Sequence, residues 1–531
     1  MRRLPVLAAC LLLGLVAGDL AAQTPAPRVI TVISDLHLGV GRVGEDWHPF
    51  EDFRWAPEFE AFLEAVHQRG RGRATLVLNG DTFELWQSLA QLTPQPDCKY
   101  DDRRELGCQL TEAGVRLRRA IEQHKRELQA IGKFAARDDN RVVFVPGNHD
   151  AALLWKSLAD EVVAATGAST DRVSVSTTGY WRSDDQRVFT EHGHEIGEDP
   201  NKFCQPPLLC AWPKPFLAGV TPSAEHLARP WGEAFVQSFY NQYEVKYPII
   251  DNLASEVLGL RYGIAAEGGA GLTQGLGRFV RFLLTQESWS QFAQLLGGGD
   301  RPAEWDYSEL EKIAPRAFLV QSLLPDDPLR AVLTTDPEPV PTLSRDEIRA
   351  VCERRETTRA QLAPEAREQV PACKRGLAAL RAVKEYLLGA RDKIFRTHLD
   401  AHRRMLGGNN FQVFVYSHTH KAETAFSPFV PKDPTALPPA DGWYPLVVNS
   451  GAWQRVLTER QLKAKNLEPA AVLRLRPENL PACYSAIVID EAKPNLDPVL
   501  RWWHRVGTGW DLSPPALAPE CPETQAQQEG S

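Results

Sequence analysis

The chain has 531 residues, of which 43% are hydrophobic and 24% are charged, and its formal net charge is −8. This length is too great for one ordinary core unless the fold is large or carries insertions. The acidic balance argues against non-specific binding to nucleic acid or to an anionic membrane surface, because both are polyanions. The composition is that of a globular protein, and it leaves the oligomeric state open.

The N-terminus is typical of an export signal. Two arginines precede an apolar stretch that extends to Gly18, and small residues offer a cleavage site after Ala22. We therefore predict a signal peptide over residues 1–22 and a periplasmic or secreted protein. A membrane anchor is a weaker interpretation because the stretch is short, and a lipoprotein ranks second because Cys10 lies too early in it. No later stretch predicts stable membrane insertion.

The cysteines agree with export. Nine cysteines become eight once the signal peptide with Cys10 is removed, and an even number in an exported chain favours disulfides. No C-x-x-C pair occurs, which disfavours a zinc site with thiolate ligands. The eight fall into four pairs of sequence neighbours, and we predict a bridge within each pair. The predicted bridges are Cys98–Cys108, Cys204–Cys210, Cys352–Cys373 and Cys483–Cys521.

Five β-rich runs, each ending in polar residues, are separated by helical patterns. Strands that alternate with helices predict an α/β fold in which the strand ends gather on one side. Ligands of such folds bind beyond the carboxyl ends of the strands, where these polar residues lie. In chain order the runs cover residues 28–37, 74–81, 141–150, 187–194 and 411–420.

The regular pattern stops after the fourth run for more than 200 residues and then resumes. We predict that residues 28–197 form the first part of one core and that residues 411–510 form its second part. Residues 198–410, with Gly-rich, Pro-rich and charged stretches, are predicted to be a largely helical insertion. Residues 511–531 are rich in Pro, Gln and Glu, and we predict a disordered tail there.

The strand ends supply carboxylates, imidazoles and one amide. Any one of these residues alone is more often a turn, a helix cap or a surface residue. Polar residues at all five strand ends, with histidine repeated, indicate a shared site instead. Imidazole and carboxylate without thiolate suit Mn, Fe or Zn ions, and two such ions with a bridging carboxylate suit phosphoryl transfer. The set is Asp35, His37, Asp81, Asn148, His149, Asp150, His192, His194, His418 and His420.

In this order the motifs SDLH, NGD, GNHD, EHGH and SHTH resemble those of the calcineurin-like metallophosphoesterase superfamily. The resemblance covers roughly residues 30–194 and 411–491, with the insertion between the fourth and fifth motifs. It implies a calcineurin-like β-sandwich flanked by helices. It also implies a dinuclear-metal phosphoesterase that hydrolyses phosphate monoesters or diesters by means of a metal-bridged hydroxide.

Carried over motif by motif, the resemblance implies two sets of metal ligands that share one carboxylate. Each ion would have two histidines and one further oxygen ligand of its own, and Asp81 would bridge the two ions. The ligands would be Asp35, His37 and His420 for the first ion and Asn148, His192 and His418 for the second.

The resemblance gives His149 another role. In the superfamily this histidine faces the leaving group as a general acid or charge stabiliser, and Asp150 would orient it. The EHGH motif offers both His192 and His194, and we favour His192 because the first histidine after the strand is the usual ligand. The fifth motif begins with Ser417 in place of glycine, and serine is small enough to fit.

Three functions are open at this point. The first is an exported phosphoesterase acting on a small phosphate ester, the second a metal-free binding protein on the same fold, and the third a nuclease. The presence of all seven candidate ligands argues against a degenerate binding protein. The acidic balance and the lack of a basic stripe argue against a nucleic-acid partner. Monoester and diester substrates are not distinguished, and Lys202 is a candidate contact for a substrate phosphate.

Overall fold

The computed structural model describes residues 27–87, 106–196, 442–458, 461–462 and 469–522, residue 259, and, with gaps of one or two residues, 226–253 and 391–429. The predicted signal peptide, Lys202 and most of the predicted insertion lie outside the described residues, as does at least one cysteine of each of the three disulfides predicted before residue 400. Within the described ranges, no helix is both long and apolar enough to cross a membrane.

Strands and helices alternate through most of the described chain. The strands are β1 (Val29–Ile33), β2 (Arg42–Val43), β3 (Asp46–Trp47), β4 (Ala74–Asn79), β5 (Leu106–Gln109), β6 (Arg141–Val145), β7 (Val173–Val175), β8 (Tyr180–Arg182), β9 (Val188–Glu191), β10 (His226–Ala228), β11 (Val413–Tyr416), β12 (Ala422–Phe426), β13 (Leu446–Ser450), β14 (Cys483–Asp490), β15 (Val499–Val506) and β16 (Gly509–Ser513). The α-helices are α1 (Ala56–Gly70), α2 (Leu110–Gln123), α3 (Lys125–Ala135), α4 (Lys156–Thr166), α5 (Asn241–Lys246), α6 (Arg391–Met405) and α7 (Pro469–Val472). A π-helical turn covers Val236–Tyr240, and 3₁₀ turns cover Ala151–Leu154, Ile250–Asn252, Pro477–Asn479 and Pro515–Leu517.

The larger sheet has seven strands in the order β16-β15-β14-β1-β4-β6-β7. Its strands β1, β4, β6 and β7 are parallel, and β14, β15 and β16 continue the sheet in antiparallel pairing. The strand β4 is buried along its whole length, as is typical of a parallel sheet covered on both faces. The carboxyl ends of β1, β4 and β6 therefore meet at one edge, where the first three motifs begin.

The smaller sheet has five strands in the order β12-β13-β11-β9-β8. Its strands β9, β11 and β13 are parallel, so the fourth and fifth motifs follow neighbouring strand ends. The two sheets share an apolar layer in which Val32 and Val145 of the larger sheet belong to one cluster with Val188 and Val415 of the smaller sheet. This packing gives the mixed α/β architecture predicted from the sequence, with both motif-bearing edges on the same side.

The helix α1 illustrates how the sequence covers the outer face of the larger sheet. Phe59, Phe62 and Val66 recur at helical spacing and are fully buried. Burying one such apolar side chain stabilises the fold by about 1.5–3 kcal/mol. The helix has a proline in its first turn and ends where Arg71 adopts the left-handed conformation, with φ of 49°.

The C-terminal segment differs from the sequence prediction. Residues 511–522 are ordered, because β16 pairs with β15 and buries Leu512, and because the predicted Cys483–Cys521 disulfide joins the segment to β14. The predicted disordered tail therefore does not begin at residue 511. The described parts of the predicted insertion include α5 and α6 as well as the strand β10, which pairs with β5.

Candidate metal centre

The candidate ligands lie in turns directly after parallel strands of both sheets. Asp35, His37, Asp81, His418 and His420 all have positive φ angles, between 49° and 65°. They are five of the eight non-glycine residues with positive φ in the described part of the chain. This conformation costs about 1–2 kcal/mol for a residue with a Cβ, and such strain is typical of functional sites.

Asp35, His37 and His420 form the first group, in which potential ligand atoms lie within 4.8 Å of one another. The Nε2 atom of His420 is 3.1 Å from Asp35 Oδ1, and that of His37 is 3.9 Å from it. Apart from the short contact of Oδ1 with His420, the buried carboxylate oxygens of Asp35 make no hydrogen bond, and the buried Nε2 atom of His37 makes none. Buried polar atoms without partners are costly, and a bound cation would satisfy all three.

Asp81, His192 and His418 form the second group. The Nε2 atom of His192 is 2.9 Å from Asp81 Oδ2, and its Nδ1 atom donates a hydrogen bond to the carbonyl oxygen of Asn79 at 2.9 Å. Such a bond to the distal nitrogen fixes the orientation of a metal-binding imidazole. Of the two histidines in the EHGH motif, the one in this group is His192, and no group found among the described residues contains His194.

Asn148 lies in a turn that contacts the second group. The next residue, His149, donates its backbone N–H to Asp81 Oδ1 at 2.9 Å. The Asn148 side chain is buried, and its Oδ1 atom has no hydrogen-bond partner. A buried amide oxygen without a hydrogen-bond partner is suited to be a neutral metal ligand.

The two groups adjoin through their carboxylates. Asp35 Oδ1 lies 3.1 Å from the Nε2 atom of His420 and 3.8 Å from that of His192, so this oxygen faces both groups. Burial alone raises the pKa of Asp35, but His192 and His420 outweigh it and hold the pKa below its usual value. Burial likewise raises the pKa of Asp81, which His192 and His149 hold well below its usual range. Both carboxyl groups are therefore ionised at the centre.

The partner of His149 differs from the sequence prediction. Its Nδ1 atom is hydrogen-bonded to the carboxylate of Glu84, which also contacts the Nδ1 atom of His37 at 3.0 Å. Burial raises the pKa of Glu84, but His149 and His37 outweigh it and lower this pKa to about 2. The indole ring of Trp86 stacks on His149 with ring centres 4.1 Å apart. Glu84 and Trp86 therefore hold the imidazole in place.

Asp150 was predicted to orient His149, but its carboxylate oxygens instead accept hydrogen bonds from backbone N–H groups. One carboxylate oxygen accepts the backbone N–H of Gly147 at 2.6 Å, and the other accepts those of Thr82 and Phe83 at 2.9 and 3.2 Å. The carboxylate thus fastens the GNHD turn to the NGD turn. The prediction was wrong because a motif gives the order of residues but not the direction of each side chain. The sequence motifs do not include Glu84, although it lies only three residues after Asp81.

An open pocket lies beside the two groups. Its other wall carries three acidic side chains, and burial raises the pKa of Asp52 and of Glu244 well above their usual values, with further repulsion from Asp251 in both cases. The Gln454 side chain on this wall is buried, and neither its oxygen nor its nitrogen has a hydrogen-bond partner. The lining residues are His37, Asp52, Asp81, Glu84, Gln87, His149, Val236, Tyr240, Glu244, Asp251, His418, His420 and Gln454.

Imidazole and carboxylate groups gather where the edges of the two sheets meet, and this set of donor atoms suits the metal ions of hydrolytic enzymes. Residues 28–247 match the family model for calcineurin-like phosphoesterase. This match supports a place for residues 28–247 in the calcineurin-like metallophosphoesterase superfamily, whose members are metal-dependent phosphoesterases. The match ends before the fifth motif, so the structure alone places His418 and His420 at the site. No curated protein and no solved structure gives a significant match to the chain.

Gly80 provides a test of the second group. It has a φ of +92°, and a Cβ atom there would lie 2.2 Å from Nδ1 of His192. Gly80→Ala should therefore displace the imidazole and weaken binding of one metal ion about 10–100-fold, as measured by metal titration of the apoprotein.

Gly44→Ala is the matched control, because Gly44 also has a positive φ, +66°, but nothing lies within 4 Å of its added Cβ. Equal metal affinities in the two variants would show that His192 does not bind metal.

Proposed function

We propose that this protein is an exported dinuclear-metal phosphoesterase that hydrolyses small phosphate monoesters or diesters. The observation that carries the proposal is the adjacency of two histidine–carboxylate groups around buried, partnerless oxygens at the edge of a phosphoesterase domain. Export is supported by the signal-like N-terminus and by the cysteine pattern. The acidic balance supports a small substrate over a nucleic acid.

The residues present fit two transition metal ions. Asp35, His37 and His420 would hold one ion, and Asn148, His192 and His418 would hold the other, with Asp81 between them. This donor set contains imidazole, carboxylate and amide but no thiolate, which favours Mn, Fe or Zn. When bound, two such ions supply Lewis-acid activation of water and neutralise charge that develops on the phosphoryl group.

His149 would supply the proton for the leaving group. It lines the pocket, and its side chain is 10% exposed, so a substrate can reach the ring. Because Nδ1 is bound to Glu84, the proton delivered to the leaving oxygen would come from Nε2. The carboxylate of Glu84 stabilises the protonated ring before the transfer, and stacking on Trp86 fixes the plane of the ring.

Two substitutions separate metal binding from proton transfer. Asp81→Asn should lose metal and activity together, because it removes the carboxylate between the two ions. His149→Asn should keep the metals but lower kcat about 10²–10⁴-fold, the usual contribution of a general acid. Metal content and kcat are measured on the same preparations. His67→Asn is the control, since its imidazole contacts Asn140 and Asp138 away from the site.

His149 could instead be a metal ligand. His37, Glu84 and His149 also form a group whose atoms could hold a metal ion. Loss of metal from His149→Asn would assign this histidine to the ligands and would contradict its role as the acid.

The acidic wall of the pocket bears on the substrate class. Burial and the nearness of Asp251 raise the pKa of Asp52 and of Glu244, Glu244 is hydrogen-bonded to Asp251, and the buried Gln454 side chain, which also lines the pocket, has no hydrogen-bond partner. A positively charged group on an ester alcohol of the substrate would stabilise the ionised form of these carboxyl groups, whereas further phosphates would be repelled by it. We therefore infer a preference for esters that carry a cationic or neutral alcohol group over esters that carry further phosphates.

Chromogenic substrates test this preference. The value of kcat/KM for p-nitrophenyl phosphorylcholine should exceed that for bis-p-nitrophenyl phosphate by about tenfold, or about 1.4 kcal/mol. Nucleoside triphosphates and sugar-nucleotide diphosphates should be poorer substrates than p-nitrophenyl phosphate. Glu244→Gln should reduce the advantage of the choline ester. A better rate with triphosphates, in the same buffer and with the same metal, would reject a cation-selective pocket.

A further inference from the structure

A second cluster of metal-ligating side chains lies outside the candidate metal centre. His398 and His402 are four residues apart on α6, so their side chains share one face of the helix. Both Nε2 atoms meet the carboxylate of Glu191 at the end of β9. His402 Nε2 is 3.1 Å from Glu191 Oε2, and His398 Nε2 contacts Glu191 Oε1.

The cluster is enclosed. The Glu191 side chain is 2% exposed, that of His402 is 4% and that of His398 is 12%. Around it lies an aromatic cluster that includes Phe189, Phe395 and Phe414, and the ring of Phe414 lies 6.0 Å from that of His398. A carboxylate buried among apolar rings requires a positive partner.

We propose that Glu191, His398 and His402 bind a divalent transition metal ion, with Zn²⁺ as the best fit. Two imidazoles and one carboxylate are an established three-residue donor set for zinc, with water as the fourth ligand. The potential ligand atoms lie within 4.8 Å of one another. The two Nε2 atoms are 2.8 Å apart. A tetrahedral ion with Zn–N bonds of about 2.0–2.1 Å holds two nitrogens about 3.3 Å apart, so only a small opening is needed.

This site is separate from the candidate metal centre although the two are neighbours in sequence. Glu191 and His192 are consecutive residues at the end of β9, and consecutive side chains of a strand point to opposite faces. His192 faces Asp81, whereas Glu191 faces α6 on the outer side of the smaller sheet. None of the residues proposed for the two catalytic ions contributes to the group of Glu191.

An ion at this position would have a structural role, because it would join α6 to β9. α6 ends at Met405, shortly before β11 and the fifth motif, whereas β9 leads directly into the fourth motif. An ion held by both elements would fasten the helix to the sheet between the turns that carry His192 and His418. It would thereby limit the freedom of both histidines without touching the substrate.

Metal counting in a background without the catalytic ions tests the proposal. Asp35→Asn/Asp81→Asn removes the carboxylates of the candidate metal centre, and after equilibration with Zn²⁺ and removal of the excess this variant should retain one zinc per chain. Adding His402→Gln should reduce the zinc content to zero. Adding His67→Gln, a histidine outside any ligand group described here, should leave it at one. Elemental analysis gives the content, and far-UV circular dichroism verifies the fold.

The wild-type background provides the second measurement. If the combined variants do not fold, wild-type protein should contain one zinc more per chain than His402→Gln or Glu191→Gln. Substitution with Co²⁺ should give a tetrahedral absorption band that is lost in those two variants. An unchanged metal content in either background would overturn the proposal and leave a hydrogen-bonded histidine pair on Glu191. These results do not depend on phosphoesterase activity.

Discussion

Two carboxylates, Asp35 and Asp81, are buried at the edge where the two sheets meet, and their charge must be compensated by the groups around them. Asp35 is fully buried and Asp81 is 1% exposed. Removing an ion from water costs several kcal/mol unless positive charge compensates for it. Histidines from both sheets surround these carboxylates, and the unpartnered oxygens of Asp35 and Asn148 call for further positive charge. Bound cations at this edge would compensate the buried negative charge.

Strand register and turn geometry together produce this arrangement. Ile33 of β1 pairs with Leu78 of β4, so the turns that follow run side by side, and the backbone N–H of Asp35 donates to the carbonyl of Gly80. Left-handed residues in these turns direct their side chains inward at a conformational cost that the surrounding hydrogen bonds offset. Glu84 then links the first group of candidate ligands to His149, because its carboxylate contacts both His37 and His149.

The sequence predicted the α/β fold and the strand ends well because each buried parallel strand is an unbroken apolar run that ends in polar residues. It could not predict which side chains would face each other. Asp150 was wrongly expected to orient His149, because that depends on the direction of a carboxylate in a turn. Glu84 and Gln454 were missed since their importance comes only from tertiary contacts. The same holds for Glu191, whose partners His398 and His402 are more than 200 residues away along the chain.

Two metal ions at the sheet edge, one on each group of candidate ligands, would explain the buried charges of this site. The most direct measurement is anomalous X-ray diffraction from crystals of the metal-loaded protein, recorded on both sides of the absorption edge of the bound metal. We predict one peak among Asp35, His37 and His420 and a second among Asn148, His192 and His418, with Asp81 between them. A single peak at this edge, or a peak ligated by His149, would contradict this prediction.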